Sequence, residues 1–250
     1  MTRKGNEIFW CSPFCPRKSH KICIRLGESI LSCSMICMSV LRIEKMELGP
    51  IATNAYLLWE EGGKEAILID APPGCSDAIS GIMEREHLTL SAIWLTHGHW
   101  DHMAGASVLC EEGVEVLGHQ EDQVLFEQPA LMSSFAIPGL ELEPVKITRW
   151  IEHGEELDMW GRKVEVRHCP GHCPGNVILW VGEESRCFVG DVIFAGSVGR
   201  ADLPGGDFDA LERSIRQQVY TLPENTQIHP GHGPDTSVGA EMQSNPFVRP

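Results

Sequence analysis

From Leu41 onward, short β-branched and aromatic runs alternate with stretches of helical period, and Gly and Pro mark the junctions. Asn54–Trp59 and Ala66–Ile69 read as strands joined across Glu60–Lys64, whose Gly62-Gly63 pair signals a hairpin. A helix is predicted over Ser76–Glu86, followed by an apolar strand at Ala92–Thr96. Met103–Glu112 then reads as helix, Val114–Leu117 as strand and Glu121–Glu127 as a short helix. Pro129–Pro144 has neither period and is expected to be loop. Beyond it come strands at Lys163–His168, Val177–Val181 and Cys187–Val189, then helix Phe208–Leu222 and strand Gln227–His229. This alternation predicts an α/β (α+β) protein.

Residues 1–42 show no such pattern. They hold seven Lys and Arg against two acidic residues, a net of +5, and five of the ten cysteines. Three readings compete for this segment. Cys11, Cys15, His20 and Cys23 are zinc-ligand types. Lys21 and Arg25 precede an apolar run from Ile30 to Leu41, the order of a secretory signal, but Ser and Cys interrupt that run. The expectation adopted is a poorly ordered basic extension over residues 1–42, with Met35, Met38 and Met46 close to the true start. Residues 43–250 then form one catalytic domain.

Charge and composition narrow the function. The remaining 208 residues carry 13 basic and 33 acidic side chains, and the whole chain has a formal charge of −15. Such a surface repels polyanions, so neither nucleic acid nor a membrane is the expected partner, and a small molecule is. With 42% hydrophobic residues the chain can bury a full core, and no run approaches the roughly 20 apolar residues of a spanning helix. Ten cysteines in 250 residues fall short of a disulfide scaffold, so a reducing cytoplasm is expected. Oligomeric state is not legible.

The chemistry is concentrated at strand ends. Thr96-His97-Gly98-His99-Trp100-Asp101-His102 places three imidazoles and a carboxylate within six positions. His97 and His99, two apart in extended chain, face the same way and can grip one cation, while Asp101 and His102 can reach a second. Gly98 is expected to supply backbone freedom at this change of direction. Three later strands are followed by Pro170-Gly171-His172-Cys173-Pro174-Gly175, Gly190-Asp191 and His229-Pro230-Gly231-His232-Gly233, each a stiff turn presenting one candidate ligand. Asp70, also at a strand end, either orients a ligand or caps a turn. Cys169 and Cys173 flank His172 and invite a nucleophile or thiolate-ligand reading. His20, His87, His119, His153 and His168 are read as ordinary surface or core residues.

The order His-x-His-x-Asp-His, Pro-Gly-His, Gly-Asp and a final Pro-Gly-His resembles the metallo-β-lactamase superfamily over roughly residues 43–250. Gly190-Asp191-Val192-Ile193-Phe194 with Gly199-Arg200, and His229-Pro230-Gly231-His232-Gly233-Pro234 with Asn245-Pro246-Phe247, is most similar to its glyoxalase II-like (hydroxyacylglutathione hydrolase-like) branch. The resemblance implies a four-layer αββα sandwich with the site along one edge. It implies one divalent metal on His97, His99 and His172, a second on Asp101, His102 and His232, and Asp191 bridging them. Zinc is the first expectation, with iron or manganese also accommodated. His229 is not a ligand in that pattern, and the family places a hydroxyl residue where Cys173 stands.

The activity so implied is hydrolysis by a metal-bridging hydroxide of a thioester such as S-D-lactoylglutathione. Asp101 doubles as a catalytic proton acceptor, and Arg200 matches a basic position that meets the anionic thiol carrier. Gly233-Pro234 stands where glutathione-binding members have an aromatic residue, and only 18 residues follow His232, so the resemblance is to short forms without the helical C-terminal domain. Two alternatives share the scaffold. One is a sulfur (persulfide) dioxygenase with a single iron on His97, His172 and Asp191; the other is a lactonase or β-lactamase.

Overall fold

The computed structural model describes residues 39–110 and 113–250, together with the backbone of residues 20–26 and 29–35. The chain divides into two units at Val40. In the first, β1 (His20–Leu26) and β2 (Ser29–Met35) pair antiparallel with Leu26 opposite Ser29. No strand is expected from the sequence of residues 1–42, so this hairpin departs from that reading. The zinc reading of Cys11, Cys15, His20 and Cys23 and the signal reading of Ile30–Leu41 rest on side chains outside the described residues.

The second unit, Leu41–Pro250, is built on two six-stranded sheets. Its first half runs β3 (Leu41–Leu48), β4 (Thr53–Glu60), β5 (Glu65–Ile69), α1 (Cys75–Glu86), β6 (Thr89–Trp94), α2 (Trp100–Met103), β7 (Glu115–His119), α3 (Gln123–Glu127) and β8 (Arg149–Ile151). The six strands lie in sequence order; β3 to β5 are antiparallel, and β5 to β8 are parallel. The second half runs β9 (Glu156–Met159), β10 (Arg162–His168), β11 (Val177–Val181), β12 (Arg186–Gly190), the small ribbon β13 (Ile193–Phe194) and β14 (Ser197–Val198), α4 (Phe208–Ser214), β15 (Gln227–Pro230), β16 (Thr236–Ser237) and α5 (Val238–Ser244). Its sheet order is β16-β15-β12-β11-β10-β9, with β12 and β15 parallel.

Burial shows why these strands stack. Every residue from Thr53 to Trp59 is buried, the mark of a strand covered on both faces. Tyr56, Leu58, Ile69 and Trp94 meet Val164, Val166, Leu179 and Phe188 between the sheets. Ala55, Leu57 and Leu68 face outward against Ile79 and Ile82 of α1, while Ile178, Val189 and Ile228 face Leu211 of α4 and Val238 of α5. The result is the four-layer αββα sandwich. Among the described residues no helix is long and apolar enough to cross a membrane.

Several local expectations change. The helix predicted over Met103–Glu112 stops at Met103, and the chain turns instead. Gly105 is drawn onto the preceding turn, its N–H donating to the Ala71 carbonyl at 2.8 Å, and a Cβ there would collide with Pro72 O and with Cys75 Sγ at 2.6 Å. The helix predicted to Leu222 is α4 followed by a π-helical turn, Ile215–Val219. Strands β3, β8 and β9 and helix α5 were not legible. The last is capped by Ser237, whose hydroxyl accepts from the Ala240 amide at 3.2 Å.

One buried cation ties the sheets together. Arg162, with its side chain wholly buried, donates from Nη1 to Glu60 of β4 and from Nε to Glu184 of the β11–β12 turn, each at 2.7 Å. Arg162→Met is expected to lower unfolding free energy by about 2 kcal/mol, because it strands two partly shielded carboxylates. A reduced urea midpoint at unchanged slope is the readout, and an unaltered midpoint contradicts it.

Candidate metal centre

The sandwich brings its ligand-bearing turns to one edge because the strands that precede them run the same way. Asp70 follows β5, His97 to His102 follow β6, His172 follows β10, Asp191 follows β12 and His232 ends the turn after β15. The strand ends are stitched across the two sheets. Val177 N donates to Thr96 O at 2.9 Å, Asn54 N to Gly231 O at 2.7 Å, and the Tyr56 hydroxyl to Pro230 O at 2.7 Å. Crevices at such carboxyl ends are where open sheets place their ligands.

All seven residues marked by the motifs meet here. His97, His99 and His172 form one group whose candidate ligand atoms lie within 4.8 Å of one another; Asp101, His102 and His232 form a second; His97, His102 and Asp191 form a third that joins them. His99 Nδ1 lies 2.8 Å from His172 Nε2. Asp191 reaches both groups, with Oδ1 at 3.2 Å from His102 Nε2 and Oδ2 at 3.5 Å from both His172 Nε2 and His232 Nε2. Asp101 Oδ2 is 3.2 Å from His102 Nε2 and from His232 Nε2, and it accepts the Thr53 hydroxyl at 2.9 Å.

The remaining nitrogens fix which lone pairs point inward. Nδ1 of His172 donates to the Arg200 carbonyl at 2.7 Å, and Nδ1 of His232 to Ala52 O at 3.3 Å. His102 Nδ1 donates to Asp70 at 2.7 Å. His97 Nδ1 donates to the Thr96 hydroxyl at 3.1 Å, which itself donates to Asp70 at 2.8 Å. Asp70 thus orients His102 directly and His97 through Thr96, which decides its role in favour of orientation over capping. Four Nε2 lone pairs are left aimed into the cluster.

Such a cluster fits cations on its own chemistry. Nε2 of His97 and His102 and Oδ1 of Asp191 are buried with no hydrogen-bond partner among the described residues. Buried polar atoms are otherwise nearly always satisfied. Burial, reinforced by the neighbouring imidazoles, holds His97 well below the ordinary histidine value, and burial with His172 beside it pushes His99 down to about 3. Both are therefore neutral donors. Burial works against charge on Asp101 and Asp191 as well, but His102 outweighs it and keeps both carboxyls below their usual range.

Glycines beside the cluster serve close approach. A Cβ on Gly231 would overlap Asp191 Oδ1 and lie 2.6 Å from His102 Cε1. Gly98 is expected to supply backbone freedom, but its φ is not positive, and a Cβ there would lie 2.8 Å from Leu125 Cβ and 3.2 Å from Asp122 Cβ. Packing, not backbone freedom, requires this glycine. Cys173 is a buried thiol that donates to Asp122 at 3.1 Å, and burial together with that carboxylate raises it well above the ordinary thiol value. Its sulfur is therefore neither an activated nucleophile nor in any of the three ligand groups. His229 takes a hydrogen bond from Arg186 at 3.0 Å and lies 2.8 Å from Asp235, outside the cluster.

The cluster opens into a cavity of about 320 Å³ whose other walls include Ile51, Met132, Phe135, Phe194 and Leu203. Arg200 also lines it, but its guanidinium is held by Asp202 through two bonds of 2.7 and 2.8 Å. Sequence reasoning missed Thr53, Thr96, Asp122 and the Ala52 and Arg200 carbonyls. Backbone acceptors leave no residue-type signal, and a lone Thr or Asp is common.

Residues 48–232 match the profile of the metallo-β-lactamase superfamily, and the chain belongs to that family. It is 36% identical over 212 residues to hydroxyacylglutathione hydrolase GloC of Haemophilus influenzae, covering 83% of this chain and 98% of that one. Among solved structures it is similar to the BLEG-1 B3 metallo-β-lactamase, with 37% identity, a TM-score of 0.76 and coverage of 83% and 99%. It is also similar to TTHA1623 in a di-iron-bound form, with 37% identity, a TM-score of 0.71 and coverage of 82% and 100%. The protein is a metal-dependent hydrolase of the metallo-β-lactamase type.

Asp70→Ala should weaken divalent-metal binding by about 10- to 100-fold, because His102 and Thr96 lose their common acceptor. Competition with a chromophoric chelator measures this, and wild-type affinity in the variant would sink the orienting role.

Proposed function

We propose that the protein hydrolyses a thioester in the manner of a glyoxalase II-like enzyme, with two divalent cations at the cluster. The observation that carries the reading is the pair of three-ligand groups joined by Asp191. Likeness to the Haemophilus hydrolase along nearly its whole length supports the substrate class. His97, His99 and His172 would hold one cation and Asp101, His102 and His232 the other, with Asp191 placed between the two groups. Zinc suits this nitrogen and oxygen set, and a di-iron form of a relative makes iron a second candidate.

When bound, such cations would supply Lewis-acid polarisation of an acyl carbonyl and would lower the pKa of a bound water from about 15.7 toward neutrality. Overall, water adds oxygen to the acyl carbon, the C–S bond breaks, and one proton leaves on the sulfur to give a carboxylic acid and a thiol. The Asp101 carboxylate is fixed by the Thr53 hydroxyl, so it can accept the proton of the attacking water and pass it to the departing sulfur. The apolar wall of Met132, Phe135 and Phe194 excludes bulk water from the acyl side. Arg200, at the cavity, meets a carboxylate of the thiol carrier by exchanging its partner Asp202. The partner is thus a small anionic thioester.

A second reading, hydrolysis of a cyclic amide by the same groups, is favoured by the likeness to a B3 metallo-β-lactamase. Protein purified without added metal is expected to contain close to two metals per chain and to release thiol from S-D-lactoylglutathione. Asp191→Ala should lose metal and cut turnover by more than about 100-fold, beyond the loss usual for groups one step removed from the metal. Full metal content and activity in that variant refute the bridge. One iron per chain, persulfide-dependent oxygen uptake and no thiol release refute the hydrolase, and turnover of a chromogenic β-lactam alone favours the second reading.

A further inference from the structure

Asp122 stands at the N-cap of α3, where an Asp ordinarily accepts a hydrogen bond from the helix it precedes, yet its side chain caps nothing. Its carboxylate is turned away from the helix and buried. Oδ2 accepts from Gly98 N at 2.8 Å and from the Cys173 thiol at 3.1 Å, and Oδ1 accepts from Gly175 N at 2.6 Å. Gly98 lies between His97 and His99, whereas Cys173 and Gly175 follow His172. One carboxylate therefore holds both turns that supply the three-histidine group.

The neighbours are shaped to this residue. A Cβ on Gly98 would sit 3.2 Å from Asp122 Cβ, and one on Gly175 would sit 2.6 Å from Asp122 Cγ. Both turns are thus in contact with the same side chain, and both of the backbone N–H groups facing it need an acceptor. Only an ionised carboxylate accepts all three donors at once; an amide in its place turns its NH₂ toward one of them.

We propose that Asp122 is a positioning residue that sets the spacing between the His97–His99 turn and the His172 turn, and so the cation affinity of that group alone. The other group, Asp101, His102 and His232, is oriented by Thr53, Asp70 and Ala52 and makes none of these contacts. This inference rests on the proposed division of ligands between two cations.

The test is titration of the full-length, metal-stripped protein with cobalt(II), following its visible bands, and with zinc(II) against a competing chelator. Wild type is expected to show two binding steps, assigned by which one His172→Ala and which one His232→Ala abolishes. In Asp122→Asn the step that depends on His172 should weaken by about 10- to 100-fold while the step that depends on His232 stays at its wild-type value; the amide also leaves a buried donor unpaired, so the metal-free melting temperature falls and the ratio of the two affinities is the readout. Equal weakening of both steps, weakening of the His232 step alone, or no change in either overturns the proposal. If Asp122→Asn does not fold, Cys173→Ala removes one of the three donors, and a smaller loss in the same step is required. Fewer than two steps in wild type would refute the division of ligands itself and the inference with it.

Discussion

The structure depends on an electrostatic conflict at one edge of the sandwich. Five imidazoles and two carboxylates are gathered with their acceptor atoms turned toward one another, and the closest nitrogen pair is 2.8 Å apart. Four of the imidazoles cannot turn away, because each Nδ1 is committed to an acceptor outside the cluster. In a site with little water, converging lone pairs and carboxylate oxygens repel, and only protons or cations reconcile them. Burial and mutual repulsion disfavour protons on His97 and His99. Asp101 and Asp191 instead favour a proton on His102, so in the metal-free cluster protons offset part of the conflict and cations can take up the rest.

Holding that arrangement together requires the whole fold. The first sheet contributes Asp70 and the run from His97 to His102, and the second contributes His172, Asp191 and His232. Neither sheet alone supplies the whole cluster. The spacing between their ligands is set by the buried layer of Tyr56, Leu58 and Trp94 against Val166, Leu179 and Phe188, by the Arg162 ion pairs, and by the bonds from Val177 to Thr96 and from Asn54 to Gly231. Close-packed interiors transmit small displacements, so a shift between the layers becomes a shift between ligands.

Much of this was legible because metal chemistry restricts residue type and strand ends restrict position. The turns carrying His97 to His102, His172, Asp191 and His232 stood out as His and Asp amid Gly and Pro after apolar runs, and the strands before them fell close to expectation. What stayed hidden was of two kinds. Short elements such as β8, with three residues, and β9, with four, offer too few positions for a period to emerge. Contacts between distant turns also escape, since nothing in Gln120-Glu121-Asp122 announces bonds to Gly98 and Gly175. Gly98 itself was noticed for the wrong physical reason, its need being for space against Leu125 and Asp122.

The two ligand groups also differ in the charge placed behind them. His97 and His172 are backed by neutral acceptors, a hydroxyl and a carbonyl, whereas His102 is backed directly by the Asp70 carboxylate. The second group further contains the Asp101 carboxylate. A carboxylate behind an imidazole makes it the more basic donor, so a cation beside Asp101 and His102 faces more negative charge than one among His97, His99 and His172. A cation held on the neutral, all-histidine side would keep more of its positive charge. Because any cation bound only by the folded chain stabilises it by mass action, this asymmetry also divides the added stability unequally between the two sides of the same seam.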